Sequence, residues 1–196
     1  MPTTLVHPLS NRKEEILQEA QALFSAKGYS SASMRVLAEK LDIKPASLYS
    51  NFKSKEIMLW EIALRCAQAF FEKVEPIAEK ALSPKQKLES MLDAHIDVII
   101  ENQDVSAIFF EEWKHLEGTH LADFKALRER YENLFIDVIK AGKKSGAFNS
   151  FPNRFLTHTL FASVNWVSRW YKPNGEMTVK EVKQTTKNIL FGGLLI

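Results

Sequence analysis

Apolar residues recur along most of this chain at the spacing of one face of an α-helix. In the first segment, Ile16, Ala20, Leu23 and Phe24 occupy positions i, i+4, i+7 and i+8. Segments with this spacing, separated by residues that start or stop helices, predict nine helices and no strand. Their approximate ranges are 11–27, 34–41, 45–52, 55–74, 84–101, a sixth that ends near 117, 120–141, 153–171 and 178–192. We therefore predict an all-α fold.

Capping residues set the predicted limits of these helices. Ser33 and Ser83 each precede a helical segment and are expected to accept a hydrogen bond from its first turn. Pro76 is expected to end the fourth helix, because proline has no backbone N–H to donate. Gly118 is expected to end the sixth helix, because glycine commonly follows the last helical residue.

The composition is that of an ordinary globular protein and argues against a membrane protein. The chain has 196 residues, of which 45% are hydrophobic and 26% are charged. Its single cysteine, Cys66, excludes an internal disulfide and fits a reducing compartment. No stretch approaches the roughly 18 apolar residues of a membrane span, and the N-terminus lacks the order of a signal peptide. These features predict a cytoplasmic protein with no membrane partner.

The small net charge of +2 is unevenly distributed along the chain. Residues 1–55 contain eight Lys/Arg and five Asp/Glu, whereas residues 56–196 contain 18 Lys/Arg and 19 Asp/Glu. The positive excess at the N-terminal end is a modest indication of a polyanionic partner.

The predicted third helix is very short and has an almost wholly polar outer face. With helix 2 and the turn 42–44 it has the dimensions of a helix-turn-helix, whose second helix must protrude to enter a DNA major groove about 12 Å wide. Leu48 and Phe52 would anchor it, and Ala46 is small enough for close approach. The outward positions carry hydrogen-bonding groups, on Ser47, Tyr49, Ser50, Asn51 and Lys53.

Residues from about 12 to 60, above all "MRVLAEKLDIKPASLYSNFKSKEIML", resemble the DNA-binding domain of the TetR family of bacterial transcriptional repressors. The shared pattern is Gly-Tyr after helix 1, Ser-Met before helix 2, and Leu-Tyr-x-x-Phe-x-x-Lys-Glu. Ser50 departs from it, since an aromatic residue or histidine often stands there, and base preference could differ accordingly. The resemblance implies a DNA-binding domain at 1–55 and a ligand-binding and dimerisation domain at 56–196, connected by helix 4.

The same resemblance implies a non-enzymatic homodimer that binds a near-palindromic operator in double-stranded DNA and responds to a small hydrophobic effector. Ser33, Arg35, Lys53 and Lys55 would contact phosphates, and Tyr49 would place its hydroxyl on one. Taken singly, each lysine could equally be a solvated surface charge. The residues implied to meet the groove are Lys44, Ala46, Ser47, Tyr49, Ser50 and Asn51.

Aromatic residues at helical spacing in the C-terminal part could line an effector pocket or simply form the core. The polar exceptions His95, Asn165 and Arg169 could likewise be ligand contacts or paired core residues. The candidate effector residues are Phe109, Phe110, Trp113, Tyr131, Asn165, Trp166 and Arg169. The stretch "NWVSRWYKPNGEMTVKEV" is similar to a subgroup that responds to fatty-acyl-coenzyme A, although it could equally be a helix-to-turn junction that packs the dimer. No other cofactor is implied.

The family resemblance also implies that the last two long helices form the dimer interface as a four-helix bundle. Apolar residues on both helices could serve that interface or the core of one protomer. They are Leu156, Leu160, Val164, Val167, Val182, Ile189 and Leu190.

A different class of protein remains as the alternative hypothesis, a helical metal-binding protein or enzyme. "EEWKHLEGTH" contains two Glu-x-x-His units, Glu112 to His115 and Glu117 to His120, and di-metal carboxylate proteins use that unit on two facing helices. These two units are too close in sequence to face one another across a bundle. A site built on Glu112 and His115 would therefore hold a single metal ion.

Overall fold

The computed structural model describes residues 10–194, which contain helices and no β-strand, so the predicted all-α fold is confirmed. No helix in this range has both the length and the apolar character needed to cross a membrane. The α-helices are α1 (Asn11–Lys27), α2 (Met34–Lys40), α3 (Pro45–Asn51), α4 (Lys55–Glu79), α5 (Pro84–Glu101), α6 (Gln103–Glu111), α7 (Gly118–Lys144), α8 (Asn153–Asn165), α9 (Val167–Trp170) and α10 (Val179–Leu194), with a 3₁₀ helix at Glu112–His115.

Both predicted serine caps are confirmed. The Ser33 hydroxyl accepts a hydrogen bond from the Val36 N–H at 3.2 Å. Ser83 and Gln86 form a reciprocal capping box at the start of α5. Each serine supplies an acceptor to N–H groups that have no partner within the helix, which fixes where the helix begins.

The prediction that Pro76 ends the fourth helix is wrong, because α4 continues to Glu79. Proline in a helix removes one hydrogen bond to the carbonyl four residues earlier, here that of Glu72. Pro76 and Glu72 are both exposed to solvent, so water can replace the missing donor. One more helical turn therefore follows the proline.

Two further predicted limits also need correction. The sixth helix ends at Glu111 and continues as the 3₁₀ helix, and Gly118, with φ +51°, begins α7 instead of ending the preceding helix. The predicted eighth helix is interrupted at Trp166, between α8 and α9. Gln103 fixes α9 in place, because its side-chain amide donates to the backbone carbonyls of Ser168 and Tyr171 at 3.0 and 2.7 Å.

The chain folds into two compact units, each of which is built from two separate stretches of the sequence. The first unit runs to Gln68 and includes Asp104–Ala126, and the second comprises Ala69–Gln103 and the residues from Leu127 onward. Helices α4 and α7 contribute residues to both units. The first unit therefore contains, besides the helix-turn-helix, the segment formed by α6, the 3₁₀ helix and the start of α7.

Helix α5 is the central element of the second unit and packs against α8, α9 and α10. Apolar residues for which the sequence left two roles open are buried here within one protomer, namely Leu156, Leu160, Val164, Val167 and Val182. Ile189 differs from them, since 72% of it is exposed. Some apolar residues of α8 and α10 thus lie in the core of the protomer, and others lie on its surface.

Candidate functional site

The turn of the helix-turn-helix is formed by a capping motif at the end of α2. Asp42 has φ +51°, and its N–H bonds to the Glu39 carbonyl at 3.2 Å. The Ile43 N–H bonds to the Ala38 carbonyl at 3.0 Å. This pair of bonds is the Schellman arrangement, with aspartate in the left-handed position that glycine usually occupies. It ends α2 and sets the direction from which α3 begins.

Helix α3 is anchored by the two apolar residues predicted for that role. Leu48 is fully buried, and Phe52 is 3% exposed directly after the helix. The Phe52 N–H bonds to the Leu48 carbonyl at 3.0 Å, so both side chains are fixed to one side of the helix. The opposite side is left free to meet a ligand.

The α3 residues that were predicted to meet the DNA groove lie on that free side. Tyr49 is 50% exposed, and Ala46, Ser47 and Ser50 are also exposed. The Ser50 hydroxyl and the Asn51 amide both donate to the Ser47 carbonyl, at 2.8 and 2.9 Å. These two side chains are therefore folded onto their own helix and would rotate outward to reach a base edge.

Two lysines flank α3 and are available to bind phosphate. Lys44 immediately precedes the helix and Lys53 follows it, and both are exposed. Neither ammonium group makes a hydrogen bond or ion pair with any described residue. Arg35 pairs with Glu39 at 2.9 Å, but the Arg35 side chain is 85% exposed, and a pair of this kind is weak enough for phosphate to replace it.

Lys55 has a different environment from the other predicted DNA contacts. Its ammonium donates to the carbonyls of Tyr29 and Ala32, at 2.7 and 2.8 Å, and lies 4.0 Å from the centre of the Tyr29 ring. Burial lowers the pKa of Lys55, and the nearby Glu112 carboxylate opposes that shift. The predicted phosphate contact of Lys55 stays a prediction, and it competes with these two bonds.

The predicted effector residues fall into two separate sets. Phe109, Phe110 and Trp113 belong to the first unit, where Phe109 and Trp113 pack against Phe124 with ring centres 5.1 and 5.8 Å away. The other four residues belong to the second unit. Within that unit, Trp166 is 63% exposed and Arg169 is exposed, whereas Tyr131 and Asn165 turn toward a buried histidine.

That histidine, His95, is the centre of a buried polar network. It is 3% exposed, with Nδ1 2.9 Å from the Tyr131 hydroxyl and Nε2 2.8 Å from Asn165 Oδ1. The neutral tautomer with a proton on Nε2 satisfies both contacts, since it donates to Asn165 and accepts from Tyr131. Phe70 and Phe161 stack on its ring, with centres 4.6 and 5.4 Å away. Burial lowers the pKa of His95 to about 4, against the opposing effect of the Asn165 bond.

A cleft of about 380 Å³ lies elsewhere in the second unit, between the end of α4, the start of α5, and α7. Its apolar wall includes Leu82, Leu134 and Val138, and Glu75 and Asp137 add carboxylates. None of the predicted effector residues lines it.

The two Glu-x-x-His units face the helix-turn-helix region instead of each other. His115 stacks on Tyr29 with ring centres 4.9 Å apart, and its Nε2 lies 3.3 Å from both Ser30 Oγ and Glu112 Oε2. His120 Nδ1 lies 3.0 Å from both carboxylate oxygens of Glu56. Between residues 10 and 194, no three His, Cys, Asp or Glu side chains are grouped to hold a metal ion. The geometry gives the metal hypothesis no support.

Comparison with known protein families shows to which family this chain belongs. A family model described as "Bacterial regulatory proteins, tetR family" matches residues 16–62. A second, described as "Tetracyclin repressor-like, C-terminal domain", matches residues 81–194. The chain belongs to the TetR family. Members of this family bind operator DNA and act as dimers, so the helix-turn-helix of α2 and α3 is a DNA-binding element.

TetR-family repressors are also among the full-length relatives of the chain. It is 30% identical over 195 residues to the transcriptional repressor KstR2 of Mycolicibacterium smegmatis, covering 98% of this chain and 95% of that protein. KstR2 of Rhodococcus jostii is 31% identical over 190 residues, covering 94% and 92%. The chain is therefore a DNA-binding transcriptional regulator.

Solved structures of TetR regulators share the fold over nearly the whole chain. The ketosteroid transcriptional regulator KstR2 of Mycobacterium tuberculosis superimposes with a TM-score of 0.87 at 23% identity, covering 98% of this chain and 99% of that one. AibR in complex with isovaleryl coenzyme A and operator DNA gives a TM-score of 0.85 at 22% identity, covering 93% and 100%.

Proposed function

We propose that this protein is a dimeric repressor that leaves a near-palindromic operator when a small hydrophobic effector binds. The observation that carries the proposal is the way in which α3 is anchored on one side and exposed on the other. A seven-residue helix is anchored through Leu48 and Phe52 and exposes Tyr49. Close to each end of it stands a lysine whose ammonium group bonds to no other residue that the structure describes. Such a helix can enter a major groove while Lys44 and Lys53 reach the phosphates on either side.

A second copy of the chain is the proposed partner of an exposed apolar face on α8 and α10. Phe155 on α8 is 68% exposed, Trp166 directly after α8 is 63% exposed, and Ile189 on α10 is 72% exposed. Phe155, Ala162 and Trp166 share one face of the helix, because they stand at positions i, i+7 and i+11. Large apolar side chains on one exposed face are typical of an interface. We propose this exposed face for the dimer interface instead of the predicted interface residues that are buried within the protomer.

The proposed effector is a hydrophobic compound with a neutral carbonyl, of which acyl-coenzyme A thioesters are the leading class. The bound isovaleryl coenzyme A of AibR and the ketosteroid regulator KstR2 both support this chemistry. Arg169, which is exposed, would meet the polar end of the ligand.

Release from DNA requires that the effector bind the released conformation more tightly than the DNA-bound one. A tenfold loss of operator affinity needs a difference of about 1.4 kcal/mol, and a hundredfold loss needs about 2.8 kcal/mol. Helix α4 contributes residues to both units, so a change of its direction is the proposed route to the spacing of the two α3 helices in the dimer.

The test is selection of bound sequences from a random duplex DNA library at near-physiological salt. The expected result is an enriched near-palindrome whose half-sites lie about one helical turn or somewhat more apart. Isovaleryl-coenzyme A, longer acyl-coenzyme A thioesters and a ketosteroid would then be added to the complex, with free coenzyme A as the control. Retention of DNA without sequence preference would refute the operator proposal, and an operator complex that none of these compounds releases would refute the effector class.

A further inference from the structure

The loop between α1 and α2 is held from two sides within the first unit, and Tyr29 is the residue at which both sides meet. Lys55, the first residue of α4, donates to the Tyr29 and Ala32 carbonyls. From the other side, the Tyr29 N–H donates to Glu112 Oε1 at 3.3 Å, a contact between residues 83 positions apart. Ser30 adds a third contact through His115 Nε2.

The Tyr29 ring is enclosed by side chains from the same two sides. The Lys55 ammonium lies 4.0 Å from its centre, and His115 stacks on it with an interplanar angle of 25°. Phe24 meets its edge at 5.2 Å, and only 8% of the residue is exposed. Burial, together with the carboxylates of Glu56, Glu117 and Glu112, raises the pKa of Tyr29, so the ring stays neutral. A residue enclosed in this way cannot move independently of either side.

A second contact joins the same segment to the first turn of α4. His120 approaches both carboxylate oxygens of Glu56 and stacks on Trp60, with ring centres 5.1 Å apart. The Glu117 N–H also donates to Glu56 Oε1, at 3.4 Å. The residues from Glu112 to His120 therefore contact the helix-turn-helix region at two points, the α1–α2 loop and the start of α4.

We propose that Glu112, His120 and Lys55 are positioning residues for DNA recognition. They fix the orientation of the helix-turn-helix against the segment 112–120, and Lys55 acts through the α1–α2 loop instead of through a phosphate. A helix-turn-helix held rigidly within the first unit presents α3 in one orientation, whereas a loosened one presents α3 in several and would accept several half-site spacings. Selectivity for spacing is therefore the property that these residues control. This inference rests on the proposed operator-binding function.

The experiment uses the full-length protein, its selected operator, and two versions of that operator with the spacer lengthened or shortened by one base pair. Glu112→Leu removes the acceptor for the Tyr29 N–H, whereas Glu112→Gln keeps an oxygen in the same place. We expect Glu112→Leu to weaken binding to the selected operator roughly tenfold, about the effect of one hydrogen bond to a charged group, and to shrink the discrimination against shifted spacers. Glu112→Gln should restore that discrimination.

Lys55→Met and Lys53→Met form a matched pair that separates positioning from phosphate binding. Lys55→Met should reduce spacer discrimination and leave the slope of log affinity against log salt unchanged. Lys53→Met should keep the discrimination and lower the slope by about 1, as expected for the loss of one phosphate contact. His120→Gln gives an independent variant at a partly exposed site, which should fold even if Glu112→Leu does not.

Two results would overturn the positioning role. One is a drop of about 1 in the salt slope of Lys55→Met, because that drop identifies a phosphate ligand. The other is an equal loss of affinity for all three spacers in Glu112→Leu and His120→Gln, which indicates a general loss of folded protein. If the wild-type protein selected no operator, the proposed function would fail together with this inference, before any variant was compared.

Discussion

Replacing His95 with glutamine should remove the acid sensitivity of folding that this residue contributes below pH 7. His95 lies buried in an aromatic cage and bonds to Tyr131 and Asn165. Glutamine is a close substitute, because its amide presents one acceptor and one donor at nearly the separation of the two ring nitrogens, but it does not titrate. The variant therefore keeps a donor and an acceptor at this site, and it loses the ionisable group together with the ring stacking on Phe70 and Phe161.

The magnitude follows from the pKa of His95, which burial lowers from 6.5 to about 4. The unfolded chain binds this proton at pH values where the folded protein does not, so the free energy of unfolding falls as the pH falls below about 6.5. The loss at pH 4 is about 3 kcal/mol, and the loss between pH 7 and pH 5 is about 2 kcal/mol. Above pH 7 the contribution of His95 is constant.

The assay is urea unfolding of wild type and His95→Gln at a fixed protein concentration between pH 7 and pH 5, since the stability of a dimer depends on concentration. The difference between the two proteins isolates His95, because all other titrating groups are shared. A constant difference between wild type and His95→Gln across this range would refute the reasoning.

Three further substitutions test the packing and the turn. Leu48→Ala should cost about 2–5 kcal/mol in urea unfolding, because Leu48 is the fully buried anchor of α3. Asp42→Gly should stabilise the protein by up to about 1 kcal/mol in the same assay, because glycine adopts a φ of +51° without a steric penalty; a loss of stability would show that the aspartate side chain itself stabilises the turn. Gly142→Ala would place a Cβ 2.0 Å from the buried Phe148 ring, so it should cost about 1–3 kcal/mol, and Phe148→Leu in the same chain should recover part of that loss.

The helix-turn-helix could be predicted from the sequence because its determinants are local. The Ser33 cap, the position of Pro45 and the four-residue spacing of Leu48 and Phe52 each act within one or two helical turns. Burial of the two anchors then confirmed which face of α3 is exposed. Asp42 was not predicted to adopt a left-handed conformation, because glycine is the usual signal for that position.

Features that depend on distant contacts could not be predicted in the same way. Glu112 and Tyr29 are 83 positions apart, and neither carries a local signal of the hydrogen bond between them. The pairing of His95 with Asn165 spans 70 positions, although a buried histidine on an apolar helix did indicate that some partner was required. The continuation of α4 past Pro76 depends on solvent exposure, which helical spacing alone does not give.

Lys53 and Lys55 show why residue type and spacing do not fix the role of a cation. Lys55 stands in the first turn of α4, where the helix dipole disfavours positive charge. The carbonyls of Tyr29 and Ala32 lie within hydrogen-bond distance and compensate for that cost, so the side chain bonds to the α1–α2 loop. Lys53 precedes the helix, has no such acceptors among the described residues, and stays exposed. A count of lysines near α3 therefore does not give the number of phosphate contacts, because one of these two side chains already bonds to another part of the protein.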